Sequence, residues 1–414
     1  MEIMATAKDR ILGARETLFY VLDQYRPKHF AVMAGIEGPT DRKGWEDALQ
    51  QLQHRHPLLT RFISKDEHAT LLFRHSPGNG IPVRWIEQHD PVDWNSEIEK
   101  ELKQGFDITK APLARVVLDH TPERSTLLFL IHHSIADGLS VVHMINHLLM
   151  ALSGSHLERL RLMPSADDFL GLVKATDTID PIIQKVRYRT YDSSLRVATL
   201  RFSTGLTGRL IQRAKIENTS VHGALSAAVV MAARSLPLSS NPDTINILSP
   251  VSTRAAQRAD DDCGLFILSK AVAFALNDET GFWEIARQAK AALAETGSLG
   301  FFADSTIGLR KMMQGHRDIM PILQSNLKFD LMLSNLGSYP YNTTYGSLRL
   351  TDLTGPFIVS GFDREQTIGA STVNGRLCLA HTGNPAIVHL LKTIREVIEK
   401  VCEHVPQMST ALSQ

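Results

Sequence analysis

The sequence predicts a mixed α/β protein in two lobes. Its 414 residues exceed what one hydrophobic core usually supports, so we expect two lobes of roughly 150 to 220 residues each. In both halves, short apolar runs typical of strands are interspersed with segments whose apolar residues recur at helical spacing. Residues 161–194 contain several Pro and Asp residues and little periodicity, which predicts a crossover between an N-terminal lobe, 1–160, and a C-terminal lobe, 195–414.

Each lobe contains its own series of elements. An amphipathic segment that includes 17–25 begins the N-terminal lobe, and Pro57 ends a helix whose Trp45, Leu49 and Leu52 share one face. The other elements predicted in this lobe are strands at 30–36, 58–63, 70–73, 83–87, 113–119 and 127–131 and helices near 94–104 and from 141. In the C-terminal lobe we predict strands at 195–202, 245–248, 329–337 and 376–381 and helices at 206–214, 220–234 and 385–405.

The clearest chemical signal is LLFLIHHSIADGL at residues 127–139. Five apolar residues predict a buried strand that ends at His132 and His133, and Asp137 and Gly138 then interrupt the pattern ahead of a helix. Because neighbouring residues on a strand point to opposite faces, only one of the two histidines is expected to face a given cavity. Histidine titrates close to neutral pH and is the usual general base. Asp137 could orient the imidazole or accept hydrogen bonds from a distant arginine and so fix the loop.

HHSIADG fits the HHxxxDG motif of the thioester-dependent acyltransferase superfamily. That superfamily includes chloramphenicol acetyltransferase, plant acyltransferases, condensation domains of nonribosomal peptide synthesis and polyketide-associated acyltransferases. The DFGWG of plant members is absent, so the sequence resembles the condensation-domain and polyketide-associated branches more closely. Other stretches that resemble the superfamily, in its order, are Arg55, His56, Pro57 and Leu59, FDI at 106–108 with APL at 111–113, PVSTR at 250–254 and SNLG at 334–337.

The resemblance implies two chloramphenicol acetyltransferase-like lobes, each a mostly antiparallel or mixed sheet flanked by helices, with an active-site tunnel between them. It also implies that His133 is the general base and that Asp137 is structural and pairs with an arginine. We expect His132 to help Asp137 fix the loop and Gly138 to allow its turn.

Three further residues could support this site. Arg254 is the first candidate to pair with Asp137, in a bidentate contact across the lobes, and Arg349 is a rival. Ser334 and Asn335 could donate hydrogen bonds near a developing oxyanion, or merely end their strand.

Two other histidines are separated by four residues on the helix that follows the motif. His143 and His147 could in principle bridge a metal ion, but the sequence offers no further ligand on that face, so we favour a helix-surface position and predict no metal. Cys263 lacks an activating neighbour and is interpreted as a buried thiol rather than a nucleophile.

Composition and charge argue against several classes. Lys and Arg total 44, as do Asp and Glu, so the net charge gives no attraction for nucleic acid or an anionic membrane. No apolar run approaches the roughly 18 residues that suggest a membrane span. The N-terminal sequence does not resemble a secretory signal, and the 3 cysteines are scattered, which favours a reducing cytoplasm. The motifs of a serine hydrolase elbow, a dinucleotide site and a P-loop are absent.

The sequence therefore predicts an acyltransferase that makes an ester or amide. The acyl donor would be acyl-CoA or a phosphopantetheine-linked acyl group, with no tightly bound cofactor, and the acceptor a small molecule with a hydroxyl or amine. An acyl or peptidyl carrier protein is a possible partner, and we expect a monomer active in natural-product or lipid assembly. The alternative is a catalytically inactive condensation-like module that binds an acyl chain or carrier protein.

Overall fold

The computed structural model describes residues 9–87, 91–172, 194–277, 279–314, 319, 322–323, 328–359, 364 and 366–403. Residues 173–193 of the predicted crossover lie outside this range. The helices are α1 (Ala14–Asp23), α2 (Arg42–Arg55), α3 (Trp94–Lys103), α4 (Gly138–Leu152), α5 (Ala166–Phe169), α6 (Thr204–Ile216), α7 (Val221–Ala233), α8 (Arg254–Gln257), α9 (Phe282–Leu293), α10 (Leu299–Met313) and α11 (Leu390–Val401). Within the described residues, no helix is long and apolar enough to cross a membrane.

The strands form two six-stranded sheets and one small sheet. They are β1 (Arg10–Ile11), β2 (His29–Glu37), β3 (Arg61–Lys65), β4 (Leu71–His75), β5 (Val83–Ile86), β6 (Ala114–Thr121), β7 (Arg124–His132), β8 (Arg196–Arg201), β9 (Thr244–Ser252), β10 (Ile267–Ala275), β11 (Leu331–Ser338), β12 (Thr344–Tyr345), β13 (Leu348–Ile358), β14 (Gln366–Val373) and β15 (Arg376–Gly383). The first large sheet has the order β12-β13-β2-β7-β6-β5, the second β10-β9-β11-β14-β15-β8, and β1-β4-β3 make the small sheet. The predicted mixed α/β fold with two sheet-containing lobes is confirmed.

Strand β7 is central to the first sheet and positions the histidine motif. It pairs antiparallel with β2 on one side and β6 on the other. Its side chains alternate between two hydrophobic clusters: Phe129 and Ile131 pack in one, and Leu128 and Leu130 in the other. Because both faces of the strand are covered, its sequence is an uninterrupted apolar run. The same packing holds the residues at its end in a fixed position.

Strand β13 joins the two halves of the chain. Although it lies in the predicted C-terminal lobe, it pairs antiparallel with β2 from Arg349 opposite Glu37 to Ile358 opposite Phe30. The predicted lobes, 1–160 and 195–414, did not anticipate that a strand from the second would join the sheet of the first, and no strand was predicted at 348–358. Periodicity shows that a segment is extended but not which sheet it joins.

Two element predictions differ from the structure. Residues Pro57–Thr60 form a 3-10 helix ahead of β3, where one strand was predicted for 58–63, because Pro57 favours the first turn of a helix. The last helix begins at Leu390 and not at 385, since turns occupy 384–385 and 388–389 and His389 has a positive φ of 67°.

Candidate active site

A cavity of about 310 Å³ lies between the two large sheets. Helix α1, the start of β2 and the loop from β7 to α4 form one side of its wall, and β9, β10, β11 and α10 form the other. Most of the side chains that line it are apolar, and its volume is within the range of small-molecule sites. This is the place at which the resemblance implied an active-site tunnel.

His133 lines this cavity directly after β7 ends. Its ring stacks on Phe19 of α1 with centroids 4.0 Å apart, and the ring of Phe30 lies 4.9 Å away. Burial lowers the pKa of His133 to about 4, against the opposing effects of its own backbone carbonyl and of Asp137. The imidazole is therefore neutral at neutral pH, which is the form that accepts a proton.

His132 points away from the cavity and is fully buried. Its Nδ1 lies 2.7 Å from Ser134 Oγ and accepts the Ser134 backbone N–H at 3.2 Å. The Nε2 atom lies 3.3 Å from Asp23 Oδ1, at an angle too poor for a hydrogen bond. The prediction that the two histidines face opposite sides is confirmed.

Asp137 connects the histidine loop to the other lobe. It is fully buried and caps α4, where its Oδ1 accepts hydrogen bonds from Ser140 N at 2.7 Å and Ser140 Oγ at 2.8 Å. Its Oδ2 accepts the backbone N–H of Phe266 at 2.9 Å, and its own N–H donates to the Gly264 carbonyl at 3.0 Å. Among the described residues Asp137 makes no hydrogen bond to either histidine. It therefore does not orient the imidazole directly but fixes the loop that carries it.

Arg254 is the partner of Asp137, as predicted. Its Nη2 donates to Asp137 Oδ1 at 3.1 Å and to Ser140 Oγ at 2.8 Å. The expected bidentate geometry was wrong, because Nη1 donates instead to the carbonyls of Asp260 and Asp262 at 3.0 and 2.9 Å. The rival Arg349 pairs with Glu37 at the surface.

The pKa of Asp137 lies below its usual value. Burial by itself would raise this pKa, but the charge of Arg254 and the hydrogen bonds from Ser140 and Phe266 outweigh burial. The carboxylate is therefore ionised at neutral pH and remains a strong acceptor for all these donors.

Gly138 packs closely against Leu336 and does not adopt a special turn conformation. It begins α4 and is not among the described glycines with positive φ, so the predicted conformational reason was wrong. A Cβ atom placed on it would lie 2.5 Å from Leu336 Cδ2 of β11.

Ser334 and Asn335 both reach the cavity from β11. Asn335 Oδ1 accepts the backbone N–H of Gly337 at 2.8 Å, so part of this side chain does end the strand. Ser334 is 8% exposed and has no hydrogen-bond partner among the described residues. Its role near an oxyanion stays a prediction.

The helix-surface interpretation of His143 and His147 was wrong for His147. His147 is buried, with Nδ1 3.0 Å from His56 Nε2 and Nε2 2.9 Å from Asp261 Oδ2, while His143 is partly buried and contacts Tyr341. Sequence spacing could not show what packs on this face of α4. Within the described residues, no group of three or more His, Cys, Asp or Glu side chains could hold a metal ion.

Sequence reasoning missed the contribution of α1 to the cavity. Arg15, Leu18, Phe19 and Leu22 all line it from one face of this helix. The signal was present, because these residues recur at the spacing of an apolar stripe and an arginine stands within that stripe.

Two family models match the chain in succession. Residues 20–169 match the condensation domain model, and residues 192–382 match the model described as phthiocerol/phthiodiolone dimycocerosyl transferase C-terminus. The chain belongs to the condensation-domain superfamily of chloramphenicol acetyltransferase-like fold. It is thus a member of a family of acyltransferases and condensation domains.

Comparison with individual members of the superfamily agrees with this assignment. Surfactin synthase subunit 1 of Bacillus subtilis is 32% identical over 160 residues, which make up 34% of this chain and 4% of that protein. The chain spans only 2% to 4% of the length of the curated synthases that it matches.

Solved structures match over nearly the whole chain. Polyketide synthase associated protein 5 from Mycobacterium tuberculosis has a TM-score of 0.66 at 17% identity, over 98% of this chain and 100% of that one. Trichothecene 15-O-acetyltransferase from Fusarium sporotrichioides has a TM-score of 0.71 at 12% identity, over 96% of each chain. At these identities the similarity shows the fold.

Proposed function

We propose that the protein transfers an acyl group from a thioester to a hydroxyl or amine acceptor, with His133 as the general base. The observation that carries the proposal is the position of His133. It is the member of the histidine pair that lines the cavity between the sheets, and its ring is neutral at neutral pH. A thioester is already activated, so a base that deprotonates the acceptor is the main chemical requirement.

The accepting atom would be Nε2 of His133. The Nδ1 atom is buried, which leaves Nε2 for a substrate. The acceptor oxygen or nitrogen would attack the thioester carbonyl while its proton moves to Nε2. When the carbon–sulfur bond breaks, the imidazolium would return that proton to the departing thiolate, so no covalent enzyme intermediate is needed.

The surroundings of His133 suit this cycle. The stacked ring of Phe19 holds the imidazole in place, and the Asp137–Arg254 pair fixes the loop that follows. Ser334, on the opposite wall of the cavity, carries a hydroxyl that could donate to the oxyanion. The other lining side chains are mostly apolar, as expected for a site that holds an acyl chain and excludes water.

The test is a screen of donors and acceptors by intact-mass analysis of products. Acyl-CoA and acyl groups loaded on a carrier protein would each be mixed with small alcohols and amines. We expect an acylated product and release of free thiol with wild type, and neither with His133→Ala. If no donor is consumed with any acceptor while a carrier protein still binds, the protein is the inactive recruitment module and the proposal is wrong.

A further inference from the structure

The cavity is positively charged. Among the described residues that line it, the permanently charged side chains are Arg15 and Lys28, and no Asp or Glu is present. The two lining histidines carry no charge at neutral pH, since burial lowers the pKa of His29 to about 3 and that of His133 to about 4. Binding of an uncharged acyl chain and an uncharged alcohol would not require positive charge in the cavity.

The charge of Arg15 is only partly compensated by the described residues: the carboxylate of Asp167 favours the protonated guanidinium but forms no ion pair with it. Its Nη2 is buried and has no hydrogen-bond partner among the described residues. The nearby carboxylate of Asp167 already accepts Arg310 Nη1 at 3.0 Å and the Ala14 backbone N–H at 2.8 Å.

The other arginine near the start of α1 forms an ion pair. Arg10 donates to the two carboxylate oxygens of Glu16 at 2.9 and 2.6 Å. Among the described residues, Glu16 and Asp167 thus form ion pairs with Arg10 and Arg310, and Arg15 forms none. Burial lowers the pKa of Arg15 to about 10, so its guanidinium remains protonated at neutral pH.

Arg15 is close to the reacting centre. It precedes Phe19 by one helical turn, about 6 Å along the axis of α1, and Phe19 stacks on His133. Both side chains line the same cavity. An anion held by Arg15 would therefore belong to a molecule that also reaches His133.

We propose that Arg15 binds a carboxylate carried by one of the two substrates. The proposal that Arg15 binds a carboxylate does not depend on the proposed function; only the statement that this carboxylate belongs to a substrate does. A guanidinium presents parallel N–H donors that match the two oxygens of a carboxylate, and Arg15 lines the cavity that such a substrate would enter. The substrate class is an acyl donor with a distal carboxylate or a hydroxy or amino acid acceptor.

The test is direct binding of octanoate and octanol, which share an apolar tail and differ in charge. With wild type at pH 7.5, isothermal titration should show octanoate binding about tenfold or more tightly than octanol. In Arg15→Gln this preference should disappear through loss of octanoate affinity, with octanol affinity unchanged, and Arg15→Lys should keep part of it. If Arg15→Gln fails to bind octanol, its cavity is disturbed, and the ratio of octanoate affinity to octanol affinity is measured with Arg15→Met instead.

Two results would overturn the assignment. One is equal affinity of wild type for octanoate and octanol, and the other is a preference for octanoate that survives in Arg15→Gln. If the wild-type protein prefers octanoate through Arg15 but transfers no acyl group in the screen above, the proposed function is rejected and the Arg15 site is kept.

Turnover then identifies the source of the carboxylate. Hexanoyl-CoA is compared with adipoyl-CoA as donor, and butanol with 4-hydroxybutanoate as acceptor. In one of these two pairs, the carboxylated compound should react faster than its partner with wild type but not with Arg15→Gln. That pair identifies whether the donor or the acceptor carries the carboxylate. If neither carboxylated member is preferred by wild type, Arg15 does not select a substrate and the proposal fails.

Discussion

Replacement of Arg254 by Met should destabilise the protein strongly. The variant keeps most of the side-chain volume but removes the cation that faces Asp137, whose carboxylate is fully buried. The three hydrogen bonds from Ser140 and Phe266 would remain. Removing one partner of a buried ion pair typically costs 3 to 5 kcal/mol, and because these donors persist we expect about 3 kcal/mol at pH 7. That is a large share of the roughly 5 to 15 kcal/mol that stabilises a folded domain.

The loss should depend on pH. In wild type the pKa of folded Asp137 is below its usual value, so the ionised group contributes stability above about pH 4, and this contribution is lost as pH falls through the folded pKa. Without Arg254, burial would raise the pKa, and the folded variant would favour the protonated acid. The difference in stability between wild type and variant should therefore shrink as pH falls from 7 toward 4.

The assay is urea unfolding at a series of pH values, with Arg349→Met as matched control. Arg349 also pairs with a carboxylate, but both partners are about half exposed, with side-chain exposures of 58% and 50%, so its loss should cost at most about 0.5 kcal/mol. A double-mutant cycle with Asp137→Asn would isolate the coupling. The reasoning is refuted if Arg254→Met costs no more than Arg349→Met, or if its cost grows at low pH.

Two further predictions concern the motif. Gly138→Ala should destabilise the protein by at most about 1 kcal/mol, because its Cβ would lie 2.5 Å from Leu336 Cδ2, the end of a flexible side chain that borders the cavity; Leu336→Ala in the same protein should remove this loss in urea unfolding, and an additive result would count against the contact. Since the pKa of His133 is about 4, the acyl-transfer rate should stay level from pH 8 to pH 5 and fall below about pH 4 as the ring becomes protonated. A stopped-flow thiol assay would measure this, and a midpoint near pH 6.5 would contradict the buried environment of the ring.

Local features could be predicted from the sequence because their causes are local. The opposite orientations of His132 and His133 follow from the two-residue period of a strand, and the apolar run of β7 from burial of both its faces. Arg254 was identified through the resemblance of PVSTR, and the structure adds that its second nitrogen binds backbone carbonyls.

Features set by distant contacts could not be predicted. The pairing of β13 with β2 joins segments about 300 residues apart, and His147 is buried because His56 and Asp261 meet it from elsewhere in the chain. Gly138 was correctly singled out for the wrong reason, since only the fold shows Leu336 beside it.

The central claim is that His133 accepts the acceptor's proton, and the most direct test is the single-turnover rate of His133→Gln. The matched control is His222→Gln, because burial also lowers the pKa of His222 to about 4, but its Nε2 contacts Ser249 Oγ and it does not line the cavity. The account predicts a rate about 10² to 10⁴ times lower for His133→Gln and a change within a few fold for the control. A His133→Gln rate equal to that of the control, in a protein that remains folded, would contradict it.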